Sequence, residues 1–284
     1  MKKIIILGSV LLTMSVFSQK IDSFKRIEIN GYYTNPVFSP DGKFVLLSGE
    51  HLKGIYLLDL NNKSVKQITD TEGSGYAYSW DNSGDSFYYR EKPEGGYFSE
   101  SKVISYEIET GNKATESIDH NLLPSYHGKT NDSEKALTVY TNPKTLKIEA
   151  TDLSTSESWV VTNPEGQYYN AILSNDKQKV AVHNGADIYI FPIDGSTAGK
   201  KVGTGIATSW TKDDKYLLGF LDESEDGHNV SNSDLYLFDT ENARTRKITN
   251  TEVIFEMYPT MHDNKLIFAD DKSGRLFITT LNLE

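Results

Sequence analysis

The stretch Phe38-Ser39-Pro40-Asp41-Gly42-Lys43 recurs along the chain, and this recurrence constrains the fold more than any other feature. In the first copy it leads into Phe44 to Ser48, then Ile55 to Leu60, then Val65-Lys66-Gln67-Ile68-Thr69. A second copy opens at Ser79-Trp80-Asp81-Asn82-Ser83-Gly84-Asp85 and continues through Ser86 to Arg90 and Val103 to Ile108. The fifth opens at Ser209-Trp210-Thr211-Lys212-Asp213-Asp214-Lys215, followed by Tyr216 to Phe220, Leu235 to Asp239 and Arg246-Lys247-Ile248-Thr249. Weaker copies begin at Asn131-Asp132-Ser133-Glu134-Lys135, Ser174-Asn175-Asp176-Lys177 and His262-Asp263-Asn264-Lys265. Ser, Pro, Asp and Gly in that order are the favoured occupants of a type I turn. The other copies replace the proline by residues that keep the turn.

Between the turns the hydrophobic period is two, and no segment carries a helical stripe capped at both ends. Six units of about 37 to 50 residues, each with four strands, match the blade period of a propeller. A parallel β-helix would need shorter coils, and an immunoglobulin array longer units. The predicted fold is therefore all-β, a six-bladed β-propeller of four-stranded antiparallel blades. The sixth unit supplies strands near Tyr258, at Lys265 to Ala269 and at Arg275 to Leu281, but no fourth. Phe24 to Ile29 resembles the fourth strands Val65 to Thr69 and Arg246 to Thr249. An N-terminal strand is thus predicted to close the last blade and remove an open edge.

The residue before the turn is large in three copies: Phe38, Trp80 and Trp210. Such residues can wedge between neighbouring blades, or the tryptophans can serve as a sugar platform; wedging is the primary expectation. The Ser39-to-Lys43 turn with a following Ile-Thr strand resembles the PD40 repeat of TolB-like, WD40-like propellers. The resemblance covers essentially residues 19–284. It implies a toroid with a central channel and a binding rather than catalytic role. TolB carries a further N-terminal α/β domain with no counterpart here, so the resemblance does not extend to the Tol–Pal role.

Residues 1–18 have the layout of a cleaved secretory signal: Lys2 and Lys3, the apolar run Ile4 to Leu12, then small and polar residues up to Ser18-Gln19. The apolar run is shorter than the roughly 20 residues of a membrane span. The expected organisation is a signal peptide over 1–18 and a single propeller domain over 19–284, periplasmic or secreted after cleavage, and monomeric. With no cysteine in the chain, neither disulfides nor a lipidated cysteine can help, so the core alone must hold the fold. Cleavage would leave 27 basic against 40 acidic residues, a net charge of −13. That balance disfavours nucleic acid and anionic lipid as partners.

In a propeller, loops joining second to third strands share a face with the connections from each fourth strand to the next blade. Two loops of the first kind are long: Glu91 to Lys102 in blade two and Asp222 to Asp234 in blade five. Aromatics recur in connections on this rim: Tyr32, Tyr33, Tyr76, Tyr97, Phe98, Tyr168, Tyr169, Phe255 and Tyr258. Tyrosine joins contact area to a hydroxyl, which suits protein or peptide partners and also carbohydrate. His51, His120, His127, His183 and His228 are expected at or near the same rim, and His262 in a turn of the opposite face. Asp222, Ser224 and Asp226, with Gly227 sixth in the run, resemble the opening of a calcium loop, but the twelfth residue is Ser233 and no helices flank it. No cofactor is otherwise expected. Nucleophile-elbow patterns are missing, since Gly195-Ser196-Thr197-Ala198-Gly199 lacks the required spacing. Prolyl-oligopeptidase propellers are followed by a hydrolase domain, and none is expected after blade six. The primary expectation is a binding scaffold for protein or envelope polymer. The alternative is a propeller enzyme, a metal-dependent lyase or hydrolase with its site in the channel.

Overall fold

The computed structural model describes residue 21 and residues 23–123, 125–128, 136–162 and 165–283. The signal layout of 1–18 and the third-copy turn Asn131 to Lys135 lie outside the described residues.

Among the described residues, twenty-three strands form six antiparallel sheets. The short β1 (Lys25–Arg26) comes first in the chain but belongs to the last blade. Blade one is β2 (Thr34–Phe38), β3 (Phe44–Ser48), β4 (Ile55–Asp59) and β5 (Ser64–Thr69). Blade two is β6 (Tyr78–Trp80), β7 (Ser86–Glu91), β8 (Lys102–Glu107) and β9 (Lys113–Glu116). Blade three has β10 (Leu137–Thr141), β11 (Ile148–Asp152) and β12 (Glu157–Val160). Blade four is β13 (Tyr169–Leu173), β14 (Lys179–Asn184), β15 (Asp187–Pro192) and β16 (Lys200–Thr204). Blade five is β17 (Ile206–Trp210), β18 (Tyr216–Glu223), β19 (Asn232–Asp239) and β20 (Arg244–Lys247). Blade six is β21 (Glu256–His262), β22 (Lys265–Asp270) and β23 (Arg275–Thr280), with β1 on its outer edge.

Ring closure is as predicted: Lys25 pairs with Ile278 and Arg26 with Phe277. The ladder continues where the Ile27 amide donates to the Leu276 carbonyl at 2.8 Å. Blade three is the exception, with three strands among the described residues. Its innermost place is taken by residues 125–128, where the Ser125 hydroxyl donates to the Val139 carbonyl at 2.8 Å and accepts from the Val139 amide at 2.9 Å. A side chain there satisfies backbone groups that a strand would otherwise pair.

Six apolar clusters hold the ring, one at each junction. Leu46, Ile55, Trp80 and Phe87 join blades one and two. Tyr88, Val103, Leu123 and Tyr126 join two and three. Val139, Ile148, Val180 and Phe191 join three and four, and Ile188, Ile190, Trp210 and Leu217 join four and five. Phe220, Leu235, Met257 and Phe268 join five and six, and Val45, Leu47, Ile267 and Leu276 join six to one. A four-stranded blade cannot bury both its faces by itself, so the fold needs every junction. The large residues before the turns are buried wedges rather than a sugar platform. Trp80 donates its indole N–H to the Val37 carbonyl of blade one, and Trp210 does the same to Ile172 of blade four. Phe38 meets the His262 ring at 5.8 Å.

The recurring turn is built as its residues dictate. The Ser39 hydroxyl donates to Asp41 at 2.6 Å and accepts from the Phe44 amide, while the Gly42 amide closes back on the Ser39 carbonyl. Ser174 with Asp176 and Thr211 with Asp213 repeat the pattern. Gly42 adopts φ 67°, and a Cβ there would also collide with the His262 ring of blade six.

Candidate functional site

The rim carrying the second-to-third-strand loops is richest where blades one and two meet. Tyr76 comes from the connection between these blades and Phe98 from the blade-two loop; they are 61 % and 43 % exposed, and Tyr97 is 78 % exposed. The Tyr76 and Phe98 rings stand edge to face, 6.2 Å apart. Arg90, next to last in β7, brings its guanidinium to 5.4 Å from the Tyr76 ring and 5.3 Å from the Phe98 ring. Its Nη2 donates to the Gly73 carbonyl at 3.4 Å. Burial of the guanidinium pulls its pKa down, against the stabilising nearness of Tyr76. Lys92 lies 5.2 Å from the Phe98 ring and pairs with Glu72 at 2.9 Å. Phe98 lies so close over Gly73 (φ 73°) that no Cβ could be placed there.

The blade-two loop is shorter than predicted, because Glu91 and Lys102 still pair in the ladder. Within it, Glu100 accepts from the Tyr97 amide at 2.8 Å and closes a single turn that turns Tyr97 outward. Glu91 is held aside by the Thr69 and Thr71 hydroxyls, at 2.8 and 3.2 Å. Beside this aromatic shelf runs an open cleft of about 520 Å³ lined by Glu50, His51, Lys53, Tyr56 and Glu72. Glu72 bounds the cleft and pairs with Lys92 under the shelf, so the two form one surface.

The remaining predicted residues do not gather into one site. His51 is exposed in the blade-one loop with φ 54°, near Glu50. Tyr32 is half-buried, its hydroxyl donating to the Asp271 carbonyl at 2.7 Å; burial, then Asp271, pushes its pKa up to about 12. Tyr33 and Tyr168 are corrections to the rim prediction, since both are core. Tyr33 packs edge-on against Tyr56 and bonds Asn30, while Tyr168 packs on Phe191. Tyr169 is exposed, stacked on the His183 ring with its hydroxyl on the Gly185 carbonyl.

His127 lies at the opposite face, another correction. Its Nδ1 is 2.9 Å from the Trp80 carbonyl, and its own carbonyl accepts from Asn82 in the first turn of blade two. His183 is buried in β14, where its Nε2 accepts from the Ala207 amide of blade five at 3.0 Å; burial lowers its pKa to about 4. The blade-five loop also shrinks, because Asp222 pairs with Ser233 and Glu223 with Asn232. Asp226 has both carboxylate oxygens engaged in its own turn, accepting from the His228 and Asn229 amides and the Asn229 side chain. Ser224 donates to the same group at 3.2 Å. Among the described residues no three His, Asp or Glu side chains group as ligands for one metal ion.

Arg90, Lys92 and Glu72 were not singled out by the sequence, because nothing in a period-two pattern distinguishes a charged residue near a strand end that stacks on distant rings. The backbone conformation of Tyr258, one of the expected rim aromatics, and the burial of Glu256 were not legible in the sequence. Tyr258 holds φ 54° at a bulge of β21, costly for so large a residue. Its ring rests on Phe220, and its pKa is raised by burial, then Asp271, Asp222 and Tyr76. Glu256 is fully buried, clasped by the Thr249 and Thr251 hydroxyls just as Glu91 is by Thr69 and Thr71. The shared Ile-Thr-x-Thr run of 68–71 and 248–251 is the signal that could have revealed both clasps.

No family profile and no curated protein sequence matches the chain. Solved structures do resemble it, at identities that establish the fold alone. TolB from Acinetobacter baumannii superposes with a TM-score of 0.53 at 16% identity, over 78% of this chain and 58% of that one. This chain therefore spans little more than half of that TolB. The β-propeller domain of Cps50 (Swd1) from Myceliophteria thermophila gives 0.58 at 12% identity, over 93% and 99%. Oligogalacturonate lyase from Vibrio parahaemolyticus gives 0.51 at 13% identity, over 89% and 79%.

Proposed function

We propose that this chain is a non-catalytic binding scaffold that recognises a protein or peptide segment on the rim of blades one and two. The observation that carries this reading is the Arg90 guanidinium stacked against Tyr76 and Phe98, with Tyr97 projecting beyond. Tyrosine and arginine are the residues that dominate binding hot spots, and clustered exposed aromatics on a rigid scaffold mark contact surfaces. The likeness to TolB and to a WD40-type propeller domain agrees with it at the level of fold. Export to the periplasm or beyond, following loss of 1–18, belongs to the same proposal, as does a monomeric state.

A second reading, a propeller enzyme working in the channel, draws support from the oligogalacturonate lyase likeness and from the positive-φ Tyr258, whose pKa is raised by burial, then by Asp271 and Asp222. The two readings separate on one comparison. Replacing Pro93 to Ser101 with an Asn-Gly turn removes Tyr97 and Phe98 while leaving the Glu91–Lys102 pair. The scaffold reading expects partner capture from the native envelope fraction to disappear with the melting temperature unchanged. Undiminished capture by the shortened protein would remove the rim from the account.

A further inference from the structure

We infer that the shelf of blades one and two is selective for an acidic peptide segment: a Glu or Asp carboxylate on Arg90, next to an apolar or aromatic side chain on Tyr76 and Phe98. This deepens the scaffold reading and rests on it. The carboxylates around Arg90 each already have another partner. Glu91 is clasped by Thr69 and Thr71, Glu72 pairs with Lys92, and Glu100 caps the Tyr97 amide. Arg90 itself forms no ion pair among the described residues. Among the described residues its Nε is buried without a hydrogen-bond partner, and the guanidinium's one hydrogen bond is the long one to Gly73.

A half-buried guanidinium without a carboxylate is costly, because desolvation is not offset by pairing. The acids needed to neutralise it are close in sequence yet turned aside, in a chain whose acids outnumber its bases 40 to 29. An incoming carboxylate can take the outer face of the fork with two parallel bonds, a geometry for which arginine is suited and lysine is not. The flanking rings supply contact area of low conformational cost around that charge. The cleft along Glu50, His51, Lys53, Tyr56 and Glu72 gives the rest of an extended segment somewhere to lie.

The test is an NMR titration of the full chain, following the Arg90 Nε–H and the Tyr76 and Phe98 ring signals. The probes are the blocked dipeptides acetyl-Tyr-Glu-amide and acetyl-Tyr-Gln-amide, with oligogalacturonate as an acidic sugar. The expected result is that the Glu dipeptide shifts these three residues and binds about tenfold more tightly than the Gln dipeptide, the worth of one charge-assisted hydrogen bond. In Arg90→Gln that preference should vanish, with the two dipeptides binding alike. Arg90→Lys should retain only part of the preference. Equal binding of the two dipeptides at the shelf would overturn the acidic preference and leave the rim reading standing. Shifts confined to other faces, or none, would overturn both. Oligogalacturonate binding at the shelf in place of either dipeptide would replace the peptide by a sugar acid.

Discussion

The indole N–H of Trp80 donates to the Val37 carbonyl at 3.1 Å, tying the innermost strand of blade two to that of blade one. Trp210 repeats the relationship with Ile172 at 3.0 Å, between blades five and four. In both, the tryptophan ends its inner strand and reaches the carbonyl at the matching place one blade back.

Replacing Trp80 should therefore damage the fold rather than recognition. Trp80→Ala is expected to cost about 3–5 kcal/mol, as large-to-small core changes do. Trp80→Phe should cost about 1–2 kcal/mol through the lost hydrogen bond. Denaturant melts measure both, and a Trp80→Ala loss below 1 kcal/mol would contradict the wedge.

Ring closure predicts that removing 23–30 aggregates or strongly destabilises the protein. The deletion strips β1 from β23 and takes Ile27 from the junction of blades six and one. A monomeric protein with an unchanged melting temperature, checked by light scattering and calorimetry, would exclude the pairing.

Two buried groups should give opposite pH dependences. Burial raises the Glu256 pKa to about 7, more than the bonds from Thr249 and Thr251 lower it, and Asp234, itself paired with Lys247, adds to the rise. In the strand opposite, Asp270 faces it. Since the folded state binds this proton more tightly, the stability it confers is full below about 4.5 and fades as pH rises through 7. The difference between wild type and Glu256→Gln should shift by roughly 3 kcal/mol over that window, with the variant gaining toward pH 8. His183 behaves inversely, because its folded pKa of about 4 lies below the unfolded value. Its contribution is full above about 6.5 and lost as pH falls toward 4, so His183→Gln should narrow the acid-side loss. Parallel slopes for the two variants in melts from pH 4 to 8 would refute the assignment.

Asp226 tests the calcium question. Its oxygens serve the local turn, so Asp226→Ala should loosen the blade-five loop equally with and without calcium. A melting temperature that rises with added calcium in wild type but not in the variant would instead make the loop a cation site.

The sequence carried the ring because each blade restates the same physics. The turn from Ser39 to Gly42 and the alternation of Val45 and Leu47 toward one junction and Leu46 toward the other can be read from neighbouring residues alone. The site was only half legible for the opposite reason. Tyr97 and Phe98 stood out beside glycines in a loop, but Tyr33 and Tyr168 look the same in sequence and turned out to be core. Which way such a ring points depends on Tyr56 and Phe191, contributed from other strands. Arg90 matters only because Tyr76 and Phe98, fourteen residues before it and eight after, converge on it in the folded ring. Blade three departs from the repeat, where Ser125 stands in for strand pairing, and its first turn lies outside the described residues.

The most direct test of the account is a hydrogen–deuterium exchange footprint of a partner captured from the native envelope. Recognition by the blade-one and blade-two rim predicts protection of residues 72–76 and 90–101, with residues 39–43, 81–85 and 211–215 on the far face unchanged. Protection of those far-face turns, with 90–101 exchanging as in the free protein, would contradict it.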